Sequence, residues 1–172
     1  EARDGEVPMF PFRRNLDSLG NDLNEVGQLQ MLSILTRLKL KISSVSVMGA
    51  DAHAIIEGDF FGNSESNINS FRMRNAYFNL SWSKTSVLAG LFWHPLFVTD
   101  CFPEVVAFGA ALPFNPLNRA PQLRVTQNFT PKLSLSGTIT MHGPFRSKGP
   151  KDAQRNSGLP DTQLQLKYKS DN

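Results

Sequence analysis

The sequence predicts an all-β chain of long antiparallel strands, a transmembrane β-barrel or part of one. Three observations predict it. Apolar and polar residues alternate with period two through most of the chain, as they must where successive side chains point to opposite faces. The alternating runs are roughly 9–13 residues long, as a tilted membrane-spanning strand requires, against a usual strand of about 5–6. Connections alternate too: Ser83-Lys84 and Thr130-Pro131-Lys132 are tight, whereas 62–69, 94–121 and 142–161 are long. Short turns on one side and long loops on the other are the pattern of outer-membrane barrels.

Composition bounds the alternatives. A chain of 172 residues suits one domain. Thirteen phenylalanines and a charged share of 19% exclude a disordered chain, which carries few aromatics and a high net charge. The single cysteine, Cys101, excludes an internal disulfide framework and a multi-cysteine zinc site. The net charge of +3 falls short of a nucleic-acid footprint, and no nucleic-acid partner is expected. No uninterrupted run of about 18 apolar residues occurs, which excludes a spanning helix, although barrel strands escape that test. The chain starts at Glu1 and shows no charged segment leading into an apolar one. The expectation is a chain whose presequence has been removed, or an excerpt of a longer one.

Residues 1–31 read as an irregular lead-in or plug: Pro8 and Pro11 cannot supply ladder donors, and Gly20 and Gly27 break a weak helical spacing. Residues 32–172 carry the strands. In the first, Leu32, Ile34, Leu38, Leu40 and Ile42 share a face, opposed by Arg37, Lys39, Lys41 and flanking serines. The second, 52–61, sets Ala52, Ala54, Ile56, Gly58 and Phe60 against His53, Ile55, Glu57 and Asp59. The third, 70–82, sets Ala76, Phe78, Leu80 and Trp82 against Asn75, Tyr77, Asn79 and Ser81. Arg72 and Arg74 sit in its apolar register, so a β-bulge near Arg74, or a strand end above the apolar band, is expected. The fourth covers 85–93. Residues 94–121 then break the rhythm with five prolines and several phenylalanines, too long a connection to be idle in a compact domain. Alternation resumes with Leu123, Val125 and Phe129, then with Leu133, Leu135, Ile139 and Met141, and finally with Leu164, Leu166 and Tyr168. Aromatics near strand ends (Phe60, Phe61, Trp82, Trp93, Tyr168) suit interfacial girdles.

Two stretches carry a resemblance to a known family. Phe71-Arg72-Met73-Arg74-Asn75-Ala76-Tyr77-Phe78-Asn79-Leu80, followed by Val87-Leu88-Ala89-Gly90-Leu91-Phe92-Trp93-His94-Pro95-Leu96-Phe97, resembles a strand–turn–strand of Gram-negative outer-membrane porins of the phosphate-selective and DcaP-like kind. There an Arg-rich strand entrance runs into a short turn and a strand ending in Gly-x-x-aromatic. Asn115-Pro116-Leu117-Asn118-Arg119-Ala120-Pro121-Gln122-Leu123-Arg124-Val125-Thr126-Gln127 is similar to the opening of the next hairpin. The resemblance covers residues 32–170, roughly. It implies a barrel, usually a homotrimer in outer-membrane lipid, with one long loop folded inward to narrow the pore. Such porins are longer, and bacterial barrels have an even number of strands. The chain also lacks a terminal aromatic after Tyr168-Lys169-Ser170-Asp171-Asn172, so the expectation is an N-terminal part of a barrel.

The functional expectation is a porin-like channel for passive diffusion of small hydrophilic or anionic solutes, without chemistry. Arg37, Lys39, Lys41, Arg72, Arg74, Arg119, Arg124 and Lys167 are the candidate pore-lining anion contacts, since cations in a lumen raise the local anion concentration. An ordinary solvated sheet face explains them equally well. Glu57, Asp59 and Asp100 are the candidate opposing acids. His53, Glu57 and Asp59 share a strand face but read as wet-face residues rather than metal ligands, and no metal or cofactor is expected. Cys101, amid Phe97, Phe102 and Val105, reads as a buried small hydrophobe. No Gly-x-Ser-x-Gly, P-loop or dinucleotide fingerprint occurs, and no enzyme is expected. The alternative is a soluble antiparallel sandwich or barrel that binds carbohydrate, with Phe92, Trp93, Phe97 and Phe102 as ligand platforms.

Overall fold

A computed structural model of the chain describes residues 13–25, 33, 35–62, 69–102, 118–141, 156 and 158–170. Its elements are the strands β1 (Arg37–Val47), β2 (Ala50–Asp59), β3 (Arg72–Ser81), β4 (Thr85–Trp93), β5 (Arg119–Asn128), β6 (Leu133–Thr140) and β7 (Asp161–Tyr168), with a 3-10 turn at Thr99–Cys101. The seven strands form one antiparallel sheet in chain order. Each strand therefore pairs with its sequence neighbour, which tight turns and simple loops achieve without crossovers. β1 and β7 are the two edges, so the sheet is open and not closed into a barrel.

The described residues fall into two compact units. One runs up to Leu38 and resumes over Glu57–Met73; the other holds Lys39–Ile56 and the chain from Arg74 onward.

In the second unit, the turn Met48-Gly49 has φ of 53° and 75°, two left-handed residues in a row, the type I′ geometry that matches strand twist. Ser44, at φ 65°, sits where the apolar positions of β1 change from Leu40 and Ile42 to Val45 and Val47. A left-handed residue at a one-residue phase slip is the form of a β-bulge. The β5–β6 turn is closed by its own hydroxyl: Thr130 Oγ1 accepts from Lys132 N at 3.2 Å and Leu133 N at 3.0 Å. Trp82 N donates to Thr85 O at 2.8 Å across the β3–β4 turn.

Register fixes the two faces of β3–β7. Phe78 lies opposite Ala89, Ala89 opposite Leu123, Leu123 opposite Ile139, and Gly137 opposite Leu164. Leu80, Val87, Val125, Leu135 and Leu166 follow on the same side. Its polar positions lie at the ends: Thr85 and Gln127, which bond each other at 2.7 Å, at one, and Arg119 and Thr162 at the other. The opposite face carries Asn79, Ser86, Gln122, Arg124, Thr126, Ser134, Ser136, Thr138, Gln163, Gln165 and Lys167. At the β3–β4 contact the strands approach closely. A Cβ on Gly90, whose φ is +125°, would come within 2.2 Å of Ala76 O and 2.7 Å of Tyr77 Cα, so only glycine fits.

Two strand boundaries differ from the sequence expectation. β1 starts at Arg37 rather than at 32, because Thr36 turns back and donates to Ser33 O through its N (3.0 Å) and its Oγ1 (2.7 Å). β5 starts at Arg119, inside the expected loop. Pro121 reads as a breaker because it brings no donor. Its carbonyl nonetheless accepts from Met141 N and Thr140 Oγ1, both at 3.1 Å, and keeps the strand paired.

In the first unit, the described part of the lead-in is irregular. Leu16 bridges to Asp22, and Asp17 Oδ1 accepts from Leu19 N at 2.8 Å and Asn21 N at 2.9 Å. Residues 1–12 and most of 26–34, with 103–117 of the long loop and 142–155 of the last one, lie outside the described residues.

Candidate functional site: the polar face of β4–β7

The polar face is covered by the chain that leaves β4. Residues 94–102 run back over it as a strap, gripped by alternate residues of β7. His94 Nε2 lies 3.2 Å from Gln163 Nε2. Gln165 Nε2 donates to Pro95 O at 3.4 Å, and Lys167 Nζ is hydrogen-bonded to Asp100 Oδ2. Three side chains on one face of one strand hold three successive points of the strap, which period two makes possible. Phe97 anchors its middle: it is buried, stacks on Trp93 at 4.3 Å between ring centroids and meets Phe102 at 5.5 Å. The described part of the long loop thus folds onto the sheet, where Phe97 escapes water while Phe102 stays exposed.

Beneath the strap's start lies a hydrogen-bonded knot around Gln122. Its Nε2 reaches Phe92 O (3.0 Å), Trp93 O (2.9 Å) and Ala120 O (3.2 Å), and its Oε1 accepts from Arg124 Nη2 at 2.7 Å. Arg124 Nη2 also donates to Trp93 O at 3.0 Å, and its guanidinium lies 5.8 Å from the centre of the Phe92 ring. Phe92 in turn packs on Tyr77 (4.6 Å), and Tyr77 meets His53 edge-on (6.1 Å). A buried amide is tolerable only if all its groups are satisfied, and Gln122 meets that condition. Sequence reasoning missed it. Alternation placed Gln122 on the wet face, but two of its three carbonyl partners, Phe92 O and Trp93 O, come from strand pairing that no local pattern reveals.

The expected site residues separate by unit. In the first unit, Arg37 Nε lies 3.7 Å from Glu57 Oε1. Arg72 Nε bonds Asp59 Oδ1 at 2.7 Å and Nη2 bonds Oδ2 at 3.3 Å, with the guanidinium 4.7 Å from the Phe61 ring centre. That two-point pairing, with Asp59 fully buried, is the strongest ion-pair geometry among the described residues. In the second unit are Lys39 and Lys41, both exposed on β1, with Arg74, Arg119, Arg124 and Lys167. Each expected acid is therefore ion-paired: Glu57 with Arg37, Asp59 with Arg72, Asp100 with Lys167.

Two expectations are corrected. Arg119, expected in the long loop as an anion contact, is the first residue of β5 opposite Trp93, is 7% exposed, and lays its guanidinium 3.6 Å from the Trp93 ring centre. A cation over an indole face loses water at modest cost. Cys101 is exposed rather than buried. It ends the 3-10 turn, and the buried position of this segment is taken by the larger Phe97.

A cavity of about 470 Å³ lies between the strap and the polar face of β5–β7. No family model, curated protein or solved structure matches the chain.

Proposed function

We propose that the chain is part of an outer-membrane β-barrel whose polar face lines a passage for small hydrophilic or anionic solutes, which cross by diffusion without chemistry. One observation carries this reading: the two faces of β3–β7 are inverted relative to a water-soluble sheet. The apolar face is open, with Phe78, Leu123, Val125, Ile139, Leu164 and Leu166 all exposed. The polar face is covered, and Gln122, Thr138 and Thr140 on it are buried. Soluble monomers rarely leave a contiguous apolar patch above a few hundred Å² in water. In lipid the same face costs nothing, and the polar residues belong inside.

The aromatics support this reading over a soluble carbohydrate-binding module. Trp93, Phe97 and Phe102 stack on one another, and Phe92 is held between Tyr77 and Arg124. They are packed as a wall, not spread as platforms. The resemblance adds a Gram-negative outer membrane as the setting and a homotrimer as the assembly. An open sheet with β1 and β7 as edges fits part of a barrel, since a spanning sheet cannot leave edges in lipid.

Planar-bilayer recording on the full-length protein tests the proposal, with discrete conductance steps as the expected result. A protein that stays monodisperse in buffer without detergent and gives no steps would end the channel reading and favour the soluble module.

A further inference from the structure

We propose that the cavity under the strap binds a polyhydroxylated monocarboxylate of the sugar-acid class, with Arg124 taking the carboxylate and the hydroxyl-bearing rows of β5–β7 taking the polyol. This deepens the channel reading, because it rests on the polar face being the side that meets solute.

The cavity floor is a grid set by strand register. Thr126 lies opposite Ser136, and Ser136 opposite Gln165. Two residues along the strands on one side stands Arg124; two residues along on the other stand Asn128, Ser134 and Lys167. Two residues of strand measure about 7 Å, the reach of a short hydroxylated chain. The volume of about 470 Å³ falls within the range of small-molecule pockets.

Charge selects a monoanion. Of the three charged side chains that line the cavity among the described residues, Lys167 and Asp100 neutralise each other. Arg124 has no acidic partner among the described residues. Its Nη2 is pinned by Trp93 O and Gln122 Oε1, while its buried Nε has no hydrogen-bond partner among the described residues. With Nη2 spent and Nε closed off, Nη1 is the group left to donate a charge-assisted hydrogen bond to one carboxylate oxygen. The hydroxyls select the rest of the molecule. Thr126 Oγ1 and Ser136 Oγ share one hydrogen bond at 2.8 Å, so one hydroxyl proton and several lone pairs stay available. Neighbouring donors and acceptors in rows suit vicinal hydroxyls. Phe97 in the strap supplies an apolar wall for the C–H side of such a chain. A neutral sugar forgoes Arg124, a simple carboxylate forgoes the rows, and a multiply charged anion brings charge that one cation does not balance.

Calorimetric titration of the full-length protein in detergent micelles decides the matter, with gluconate as probe against glucose, acetate and inorganic phosphate. Gluconate is expected to bind saturably and at least tenfold more tightly than the other three. Arg124→Lys, with an unchanged circular dichroism spectrum, should weaken gluconate about tenfold or more. Thr126→Val, which keeps the side-chain shape, should weaken gluconate severalfold and leave acetate unchanged; this variant decides the question if Arg124→Lys does not fold. Absence of saturable gluconate binding, phosphate or glucose binding as tightly, or gluconate binding unaltered in the folded variants would each overturn the proposal. Binding in micelles requires no passage. Saturable binding without conductance would therefore sink the channel reading alone, and conductance without binding would sink this site alone.

Discussion

Gln122 and Leu123 are neighbours in β5 and live in opposite surroundings. Gln122 is 6% exposed and uses both ends of its amide; Leu123 is 46% exposed and lies in a band of aliphatic side chains. In a water-soluble sheet the exposures would be exchanged. The same contrast separates the two faces through β7, where Leu164 is 76% exposed while Gln163 and Gln165 hold the strap. The lesson is that strand alternation alone does not say which face is covered. Among the described residues the covered face is the polar one, whose groups find partners in one another and in the strap.

The largest expected effect tests how tightly the polar side is built. Gly90→Ala forces a Cβ to within 2.2 Å of Ala76 O at a φ of +125°. Left-handed strain and overpacking each cost about 1–3 kcal/mol, so a loss of roughly 3 kcal/mol or more is expected. Urea unfolding in detergent, followed by circular dichroism, measures it. An unchanged midpoint would mean that β3 and β4 do not approach as described.

Next comes the apolar face. Leu123→Lys should cost about 2–4 kcal/mol in a lipid bilayer if the side chain lies near mid-depth. In water an exposed site of this kind would change stability by under about 0.5 kcal/mol. Comparing refolding equilibria in vesicles and in buffer separates the two outcomes. Equal stability in both media breaks the contrast between the faces.

Gln122→Leu should cost about 2 kcal/mol in any medium, since it strips a donor from three carbonyls and an acceptor from Arg124. It probes the same strand one residue earlier. Detergent-phase thermal unfolding reads it, and a stability gain would show that the knot is a burden rather than a support.

Much of this contrast was legible in the sequence. Period-two patterning located all seven strands, because a strand with one apolar and one polar face has to alternate. What could not be read was pairing at a distance. Arg119 looked like a loop cation because Pro121 and Pro116 surround it, and its place over Trp93 depends on the β4–β5 register. Cys101 looked buried because its neighbours are aromatic, yet a 3-10 turn offers too few positions to bury them all. The acids looked like opposing charges across a gap, whereas Glu57, Asp59 and Asp100 each have a cation within ion-pair reach. Charge partners follow from which strands lie side by side, and composition carries no record of that.

The smallest expected effect concerns the strap that covers the polar face. Lys167, by its hydrogen bond first and its charge second, with Lys169 adding a weaker attraction, holds the Asp100 carboxyl below its ordinary range. A carboxylate depressed in the folded state stabilises above its unfolded pKa of about 3.9, and the stabilisation is lost as pH falls through the lower folded value. The strap should therefore be held at neutral pH and loosen below about pH 4. Both partners are about half exposed, so solvent screening keeps the effect under about 1 kcal/mol. Cys101, exposed and adjacent to Asp100, is a ready attachment point for a spin label. Its mobility should rise on acidification in the parent protein. In Asp100→Asn it should be raised already at neutral pH and change less on acidification. Exchanging the charges, with Asp100→Lys and Lys167→Asp together, should restore the restrained signal at neutral pH. If label mobility is flat on acidification and equal in parent and Asp100→Asn, the ion pair does not hold the strap. The grip would then rest on Phe97 and on the neutral contacts of Gln163 and Gln165.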